Sequence, residues 1–183
     1  HNPDTTGFAL AIGDLLARSR DGAVALLGAG GVGKAIAFAL SGLGVAELRI
    51  FDTDRAKAEK LAGALPGTQK IRIADDVEAA LLDAVGLVNA TPIGMLPDRA
   101  SPVPETLLHR GLWVVDAVYS PLWTPLLIAA KAKGAAVMTG RELAMHQAAD
   151  AFELFTGLRP STVEMGIAFD AVTATGSTVG DAA

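Results

Sequence analysis

Gly28, Gly30, Gly33 and Asp52 have the residue types and spacing that most directly suggest chemistry in this chain. The stretch Gly28-Ala29-Gly30-Gly31-Val32-Gly33 fits G-x-G-x-x-G after an apolar run. In that spacing the first glycine permits a tight turn, the second lets a pyrophosphate approach the backbone, and the third lets helix and strand pack closely. The N-terminus of the following helix offers unpaired N–H groups and a positive dipole end to phosphates. A glycine turn of this kind also occurs for packing alone. Asp52, however, follows the next apolar run about twenty residues beyond the last glycine, where a carboxylate takes the ribose hydroxyls of a dinucleotide. Together the four residues point to dinucleotide binding.

Six short apolar runs are available to position such a turn. Ala23–Leu27, Glu47–Phe51, Lys70–Ile73, Leu87–Asn89, Leu112–Asp116 and Ala135–Met138 read as strands. Helical patterns run between them: from Gly31, from Arg55 to Leu65 behind Thr53-Asp54 caps, near Val77 to Ala84 behind Asp75-Asp76, and from Pro125 to Lys133. Gly140 to about Phe155 is a long helix closed by Gly157, and a shorter one runs from Ser161 to Phe169. Residues 90 to 110, with Pro92, Pro97, Pro102 and Pro104, form a long loop with one turn of helix near Glu105–Leu108, and loops of that length are usually functional. Upstream, a helix to about Arg18, capped by Thr5 or Thr6, carries an apolar face that includes Phe8, Ile12, Leu15 and Leu16. Strands alternating with helices imply an α/β domain with a doubly wound parallel sheet, a Rossmann fold of order 3-2-1-4-5-6, with ligands at the switch between strands 1 and 4. The expected organisation is a lead-in helix over 1–20, the nucleotide-binding domain over 21–170 and a flexible tail over 171–183.

The bulk properties narrow the class. In 183 residues, 51% hydrophobic content supplies a substantial core. No run approaches the ~18 continuous apolar residues of a membrane span, and no charged-then-apolar leader pattern opens the chain. A net charge of −5 with scattered basic residues leaves no footprint for nucleic acid. The absence of cysteine excludes disulfides and thiolate metal sites and suits a cytoplasmic enzyme. Three histidines lack spaced carboxylate partners, so no metal site is expected. Because His1 is not an initiator residue, a segment is expected upstream of it.

In such a fold the nicotinamide meets the loops after strands 4, 5 and 6. These hold Asn89 to Met95, Asp116 to Pro121 and Gly140 to Gln147. Each pairs a small or rigid turn with one polar or soft apolar side chain, a combination that suits a flat ring and a polar substrate.

At these stretches the chain resembles the shikimate/quinate dehydrogenase family. Its motifs N-T-D, G-A-G-G, N-A-T-P-x-G-M, D-x-x-Y-x-P-x-x-T and Q-A-x-x-x-F with T-G have counterparts here in order, the first departing from the pattern because Pro3 replaces its threonine. They are Asn2-Pro3-Asp4, Gly28–Gly31, Asn89–Met95, Asp116–Thr124, and Gln147-Ala148 to Phe152 with Thr156-Gly157. The resemblance implies that Asp4 is a catalytic partner, that Gln147 and Tyr119 lie on the substrate side, and that Thr91 and Met95 lie on the nicotinamide side. The expected cofactor-binding set is Gly28, Ala29, Gly30, Gly31, Val32, Gly33, Asp52, Thr91, Met95, Val118 and Gly140. In that family an N-terminal domain binds the polyol acid and supplies a catalytic lysine. That domain has no counterpart here, and Lys34 reads as a solvated helix residue. The chain therefore resembles the cofactor half of a dehydrogenase, with little or no activity by itself. A homodimer is a further expectation for the full-length enzyme.

Bland roles stand beside these. Asp4 also suits a helix N-cap, Asp116 suits a tie for the loop after its strand, Tyr119 suits packing, and Gln147 and His146 suit a solvated helix face. NADP-using relatives carry an N-R-T-like stretch after strand 2, whereas this chain has Asp52-Thr53-Asp54-Arg55. A carboxylate there accepts ribose hydroxyls and repels a 2′-phosphate. NAD is therefore expected over NADP, with Arg55 beginning the helix or pairing with Asp52 or Asp54. The expected reaction is oxidation of the C3 hydroxyl of shikimate, quinate or another cyclic acid. The alternative is a non-catalytic module that senses a nucleotide or metabolite.

Overall fold

The computed structural model describes residues 12–13, 15–16, 21–67, 69–158 and 160–176, of which 146, 147, 150, 151, 154, 162 and 172–176 are described by backbone alone. Six parallel strands, β1 (Ala23–Leu27), β2 (Glu47–Phe51), β3 (Lys70–Ile73), β4 (Ala84–Asn89), β5 (Trp113–Asp116) and β6 (Ala136–Met138), form one sheet of order β3-β2-β1-β4-β5-β6. This is the doubly wound arrangement expected from the alternating pattern.

Every residue of β1 is buried, because helices cover both faces of the sheet. The period-two alternation of a strand divides its side chains between two cores. Val24 and Leu26 pack with Ile36, Leu40, Leu48 and Ile50 on one face. Ala25 and Leu27 pack with Leu87, Val114, Leu126 and Leu127 on the other. Ile12 and Leu16 are helical and join the first core, consistent with the apolar face expected there. Gly13 and Leu15 are helical as well, and Leu15 packs against the same core; the remaining residues of that expected helix, and Asp4 with them, lie outside the described residues.

The helices are α1 (Gly31–Gly42), α2 (Arg55–Ala64), α3 (Val77–Leu81), α4 (Pro125–Ala132), α5 (Gly140–Thr156) and α6 (Thr162–Gly176). Local chemistry sets several of their ends. Asp76 accepts the Ala79 amide at 2.7 Å to start α3. Thr124 accepts from the Leu127 amide at 3.3 Å ahead of Pro125. Thr139 precedes α5 and bonds Glu142 at 2.9 Å. Gly157, at φ +70°, closes α5 in the left-handed conformation. Asp54 sits at the N-cap of α2 without a side-chain cap bond, contrary to the capping role expected of it.

Three other boundaries differ from the sequence reading by more than one residue. α3 stops at Leu81 rather than near Ala84, and β4 begins at Ala84. The turn between them places Asp83 at φ +54°, which the apolar pattern did not signal. α6 continues to Gly176, so Ala171–Gly176 is helical rather than tail. The small residues there looked like a terminus, yet the preceding turn is anchored by Arg141, whose Nε and Nη2 each reach Asp170 at 2.7 Å. Residues 177–183 lie outside the described region.

Candidate nucleotide-binding site

Register places the site. Leu27 at the end of β1 faces Phe51 of β2 and Asn89 of β4, and Asn89 faces Asp116 of β5. The carboxyl ends of four strands therefore form one line at the switch point. Backbone bonds extend that line by one residue: the Gly28 amide donates to Phe51 at 2.8 Å, Ala90 to Leu27 at 2.8 Å and Ala117 to Asn89 at 2.9 Å.

The three glycines of the turn do different work. Gly28 has φ +97°, and a Cβ there would come 2.8 Å from the Ala90 carbonyl oxygen. At Gly33 a Cβ would approach the Gly28 oxygen to 2.0 Å, so α1 can enter this close to β1 only without a side chain. Gly30 and Gly31 have nothing within 4 Å of an added Cβ. Their backbone faces open space at the helix entry, the cradle that a diphosphate requires. Val32 is partly exposed on the first turn of α1, and Lys34 is exposed.

Asp52 is fixed against this turn. Its Oδ2 accepts the Ala29 amide at 2.7 Å, and its Oδ1 accepts the Asp54 amide at 2.8 Å. Each oxygen retains a further lone pair for a hydroxyl donor. Asp52 and Thr53 form one wall of a cleft of about 360 Å³, whose other walls are Gly28 with Gly30 and Thr91 with Pro92 and Ile93. The cleft joins the glycine turn, the acid and the loop after β4 in one concavity. The residues present fit a dinucleotide at its diphosphate and ribose.

Behind the cleft, Asn89, Asp116 and Thr124 are fully buried. Asn89 Nδ2 donates to Asp116 Oδ1 at 2.9 Å and to the Ile93 carbonyl at 3.2 Å. Thr124 donates to Asp116 Oδ2 at 2.7 Å, and the Val118 amide donates to Oδ1 at 3.0 Å. Burial pushes the Asp116 carboxyl above its ordinary range, against the bonds from Thr124, Val118 and Asn89 that favour its charged form. Asp116 thus ties down the loop after its strand. Thr91 hydrogen-bonds Asn89 through both its amide, at 3.0 Å, and its hydroxyl, at 2.7 Å, which also accepts the Ile93 amide at 3.2 Å. With its proton committed, Thr91 offers a ligand its methyl group and an acceptor.

The loops after β4, β5 and β6 meet as expected. The Leu96 amide donates to Ser120 at 3.1 Å. A Cβ on Gly140 would lie 2.4 Å from the Val118 oxygen, so Gly140 lets α5 start directly on the buried Val118 turn. Met95 and Tyr119 are exposed, 46% and 50% respectively, and the Tyr119 ring makes an edge contact with Phe169 of α6, centroids 6.2 Å apart. Gln147 falls on α5, where only its backbone is described; Asp4 lies outside the described residues.

Sequence reasoning missed two features. Asn89 and Thr124 act as partners of Asp116, a role signalled only by polar residues at the end of β4 and at the N-cap of α4. Arg55 pairs with neither Asp52 nor Asp54; it reaches Glu59 at 3.0 Å and Asp75 at 2.5 Å. Among the described residues no group of three or more acidic, histidine or cysteine side chains is placed to hold a metal ion, and no helix is long and apolar enough to cross a membrane.

Comparison with known proteins places this geometry. No family model matches the chain. It is 43% identical over 170 residues to a shikimate dehydrogenase (NADP(+)) of Streptomyces avermitilis, an alignment covering 90% of this chain and 58% of that one. It is 41% identical over 174 residues to a quinate/shikimate dehydrogenase (NAD(+)) of Corynebacterium efficiens, covering 92% and 61%. The structure of quinate dehydrogenase from Corynebacterium glutamicum in complex with NAD superposes with a TM-score of 0.82 at 37% identity, covering 93% of this chain and 62% of that one. The chain thus spans about 60% of the length of these relatives. Over roughly nine-tenths of its own length it is similar to shikimate/quinate dehydrogenases, consistent with the nucleotide-binding half of those proteins.

Proposed function

We propose that the chain is the cofactor-binding part of an NAD-dependent dehydrogenase that acts on the C3 hydroxyl of shikimate, quinate or a related cyclic acid. The observation that carries this reading is the Asp52 carboxylate, held against the glycine turn by the Ala29 and Asp54 amides at 2.7 and 2.8 Å. A carboxylate so placed accepts ribose hydroxyls and repels a phosphate on the same edge. Relatives that carry NAD(+) and NADP(+) in their names stand at similar identity, so the preference for NAD rests on Asp52.

When bound, the nicotinamide supplies the redox chemistry. The chain's own residues position the reactants. Gly28 to Gly33 hold the diphosphate through backbone amides, and Asp52 holds the adenosine ribose. Thr91, Met95, Val118 and Gly140 form the wall against which the nicotinamide half lies. Tyr119 and Gln147 face the substrate, and Asp4 assists a lysine of the preceding domain in taking the hydroxyl proton. Residues 1–20 lead in from that domain, and residues 21–170 form the nucleotide-binding unit.

Calorimetric titration of this chain with NAD⁺ and NADP⁺ tests the reading. Saturable binding with NAD⁺ the tighter ligand is expected. Binding of neither, or preference for NADP⁺, contradicts it. For the complete protein, reduction of NAD⁺ with quinate or shikimate is expected, and inactivity with both acids removes the substrate assignment.

A further inference from the structure

Two basic residues, Arg55 and Lys57, occupy the first turn of α2, three and five positions beyond Asp52. The positive end of a helix dipole is an unfavourable place for cations, so what they face matters. Lys57 Nζ lies 3.4 Å from Asp54 Oδ2. The Arg55 guanidinium is engaged twice, by Glu59 one turn on at 3.0 Å and by Asp75 just beyond β3 at 2.5 Å. Since β3 lies on the far side of β2 from β1, Asp75 draws the guanidinium outward, away from the cleft between β1, β2 and β4. Both side chains are exposed, 58% for Arg55 and 83% for Asp75. An exposed ion pair is weakly held, so the fold does not depend on it.

Resting on the dinucleotide reading above, we propose that Asp75 is a specificity-determining residue: it holds Arg55 off the ribose edge and so disfavours a dinucleotide carrying a 2′-phosphate. Arg55 lies three positions beyond Asp52, on a long side chain with a planar fork suited to phosphate. Released from Asp75, it is the nearest guanidinium in sequence able to swing toward that edge. Asp52 then acts by direct repulsion and Asp75 by withholding a cation. The two acids reach the same selectivity by different routes.

The test is titration of wild type, Asp75→Asn and Asp75→Asn/Arg55→Ala with NAD⁺ and NADP⁺ at low and moderate salt. Asp75→Asn is expected to tighten NADP⁺ binding by about 2- to 5-fold at low salt, with less effect at moderate salt and little change for NAD⁺. Removing Arg55 in the double variant abolishes the gain. An unchanged NADP⁺ affinity overturns the inference. A gain that survives loss of Arg55 overturns it too, because lost repulsion then explains the effect. Wild type that binds neither dinucleotide, or prefers NADP⁺, defeats the underlying nucleotide reading and this inference with it, before any variant is compared.

Discussion

Asn89 and Asp116 end adjacent strands in register, and the Asn89 amide donates to the Asp116 carboxylate at 2.9 Å with both residues fully buried. The same carboxylate takes the Thr124 hydroxyl and the Val118 amide. One acid thereby fixes the loop after β5 against the loop after β4 and the start of α4. The surface presented to a ligand is rigid because the polar network beneath it is fully paired.

Asp116→Ala removes the acceptor for three buried donors and is expected to cost about 2–4 kcal/mol of stability, as unsatisfied buried groups do. Urea denaturation measures it. A loss below about 0.5 kcal/mol, the range of ordinary surface changes, contradicts the network as a stabilising unit.

The sign of the pH effect at Asp116 is set by burial, which raises the folded-state pKa above the ordinary value. The stability this contributes is fully present below the ordinary carboxylate range and is lost as pH rises through the raised folded pKa. Wild type minus Asp116→Asn stability should therefore fall as pH increases across that interval. Glu47 carries the opposite sign, because its hydrogen bond from Arg49 holds its pKa down. Its contribution is present above the ordinary value and disappears as pH drops through the folded one. Paired denaturation curves for Asp116→Asn and Glu47→Gln across the acid range check both directions.

The glycine turn separates fold from binding. Gly33→Ala places a methyl 2.0 Å from the Gly28 oxygen, whereas Gly30→Ala meets open space. Gly33→Ala should destabilise by about 2–4 kcal/mol, in the range of overpacking and backbone strain. Gly30→Ala should leave the melting temperature within about 2 °C and weaken NAD⁺ binding by about tenfold, through loss of diphosphate approach. Thermal scans and titrations on both variants distinguish them; equal melting temperatures remove the packing role of Gly33.

The tight turn at Gly28, the close packing at Gly33, the six strands in order and the helix ends at Asp76 and Gly157 were legible in the sequence because each is encoded locally. A turn needing φ above zero leaves a glycine, and a buried parallel strand leaves an apolar run. Asp52 was legible for the same reason, as an acid at a strand end. What local patterns did not carry was partnership across the fold. Asp116 shows in sequence as one acid after an apolar run; its bond to Asn89 exists only once β4 and β5 pair, and its bond to Thr124 only once the loop after β5 folds back. Arg55 has two acids beside it in sequence, yet it bonds Glu59 and Asp75, one turn and one crossover away. The helix through Gly176 escaped notice because Ala, Thr and Gly resemble a polar tail, while its anchor, Arg141, lies on another helix.

Asp52→Asn keeps a carbonyl oxygen for the Ala29 or Asp54 amide but removes the charge. The ratio of NADP⁺ to NAD⁺ affinity should rise by about tenfold, equivalent to about 1.4 kcal/mol. Unchanged selectivity in competitive titration contradicts the carboxylate argument.

The most direct measurement is a crystal structure of this chain with NAD⁺. The account predicts the diphosphate against the Gly30 and Gly31 amides at the start of α1, with the adenosine ribose hydroxyls on the Asp52 carboxylate. A diphosphate bound elsewhere, or a ribose held without contact from Asp52, would contradict it.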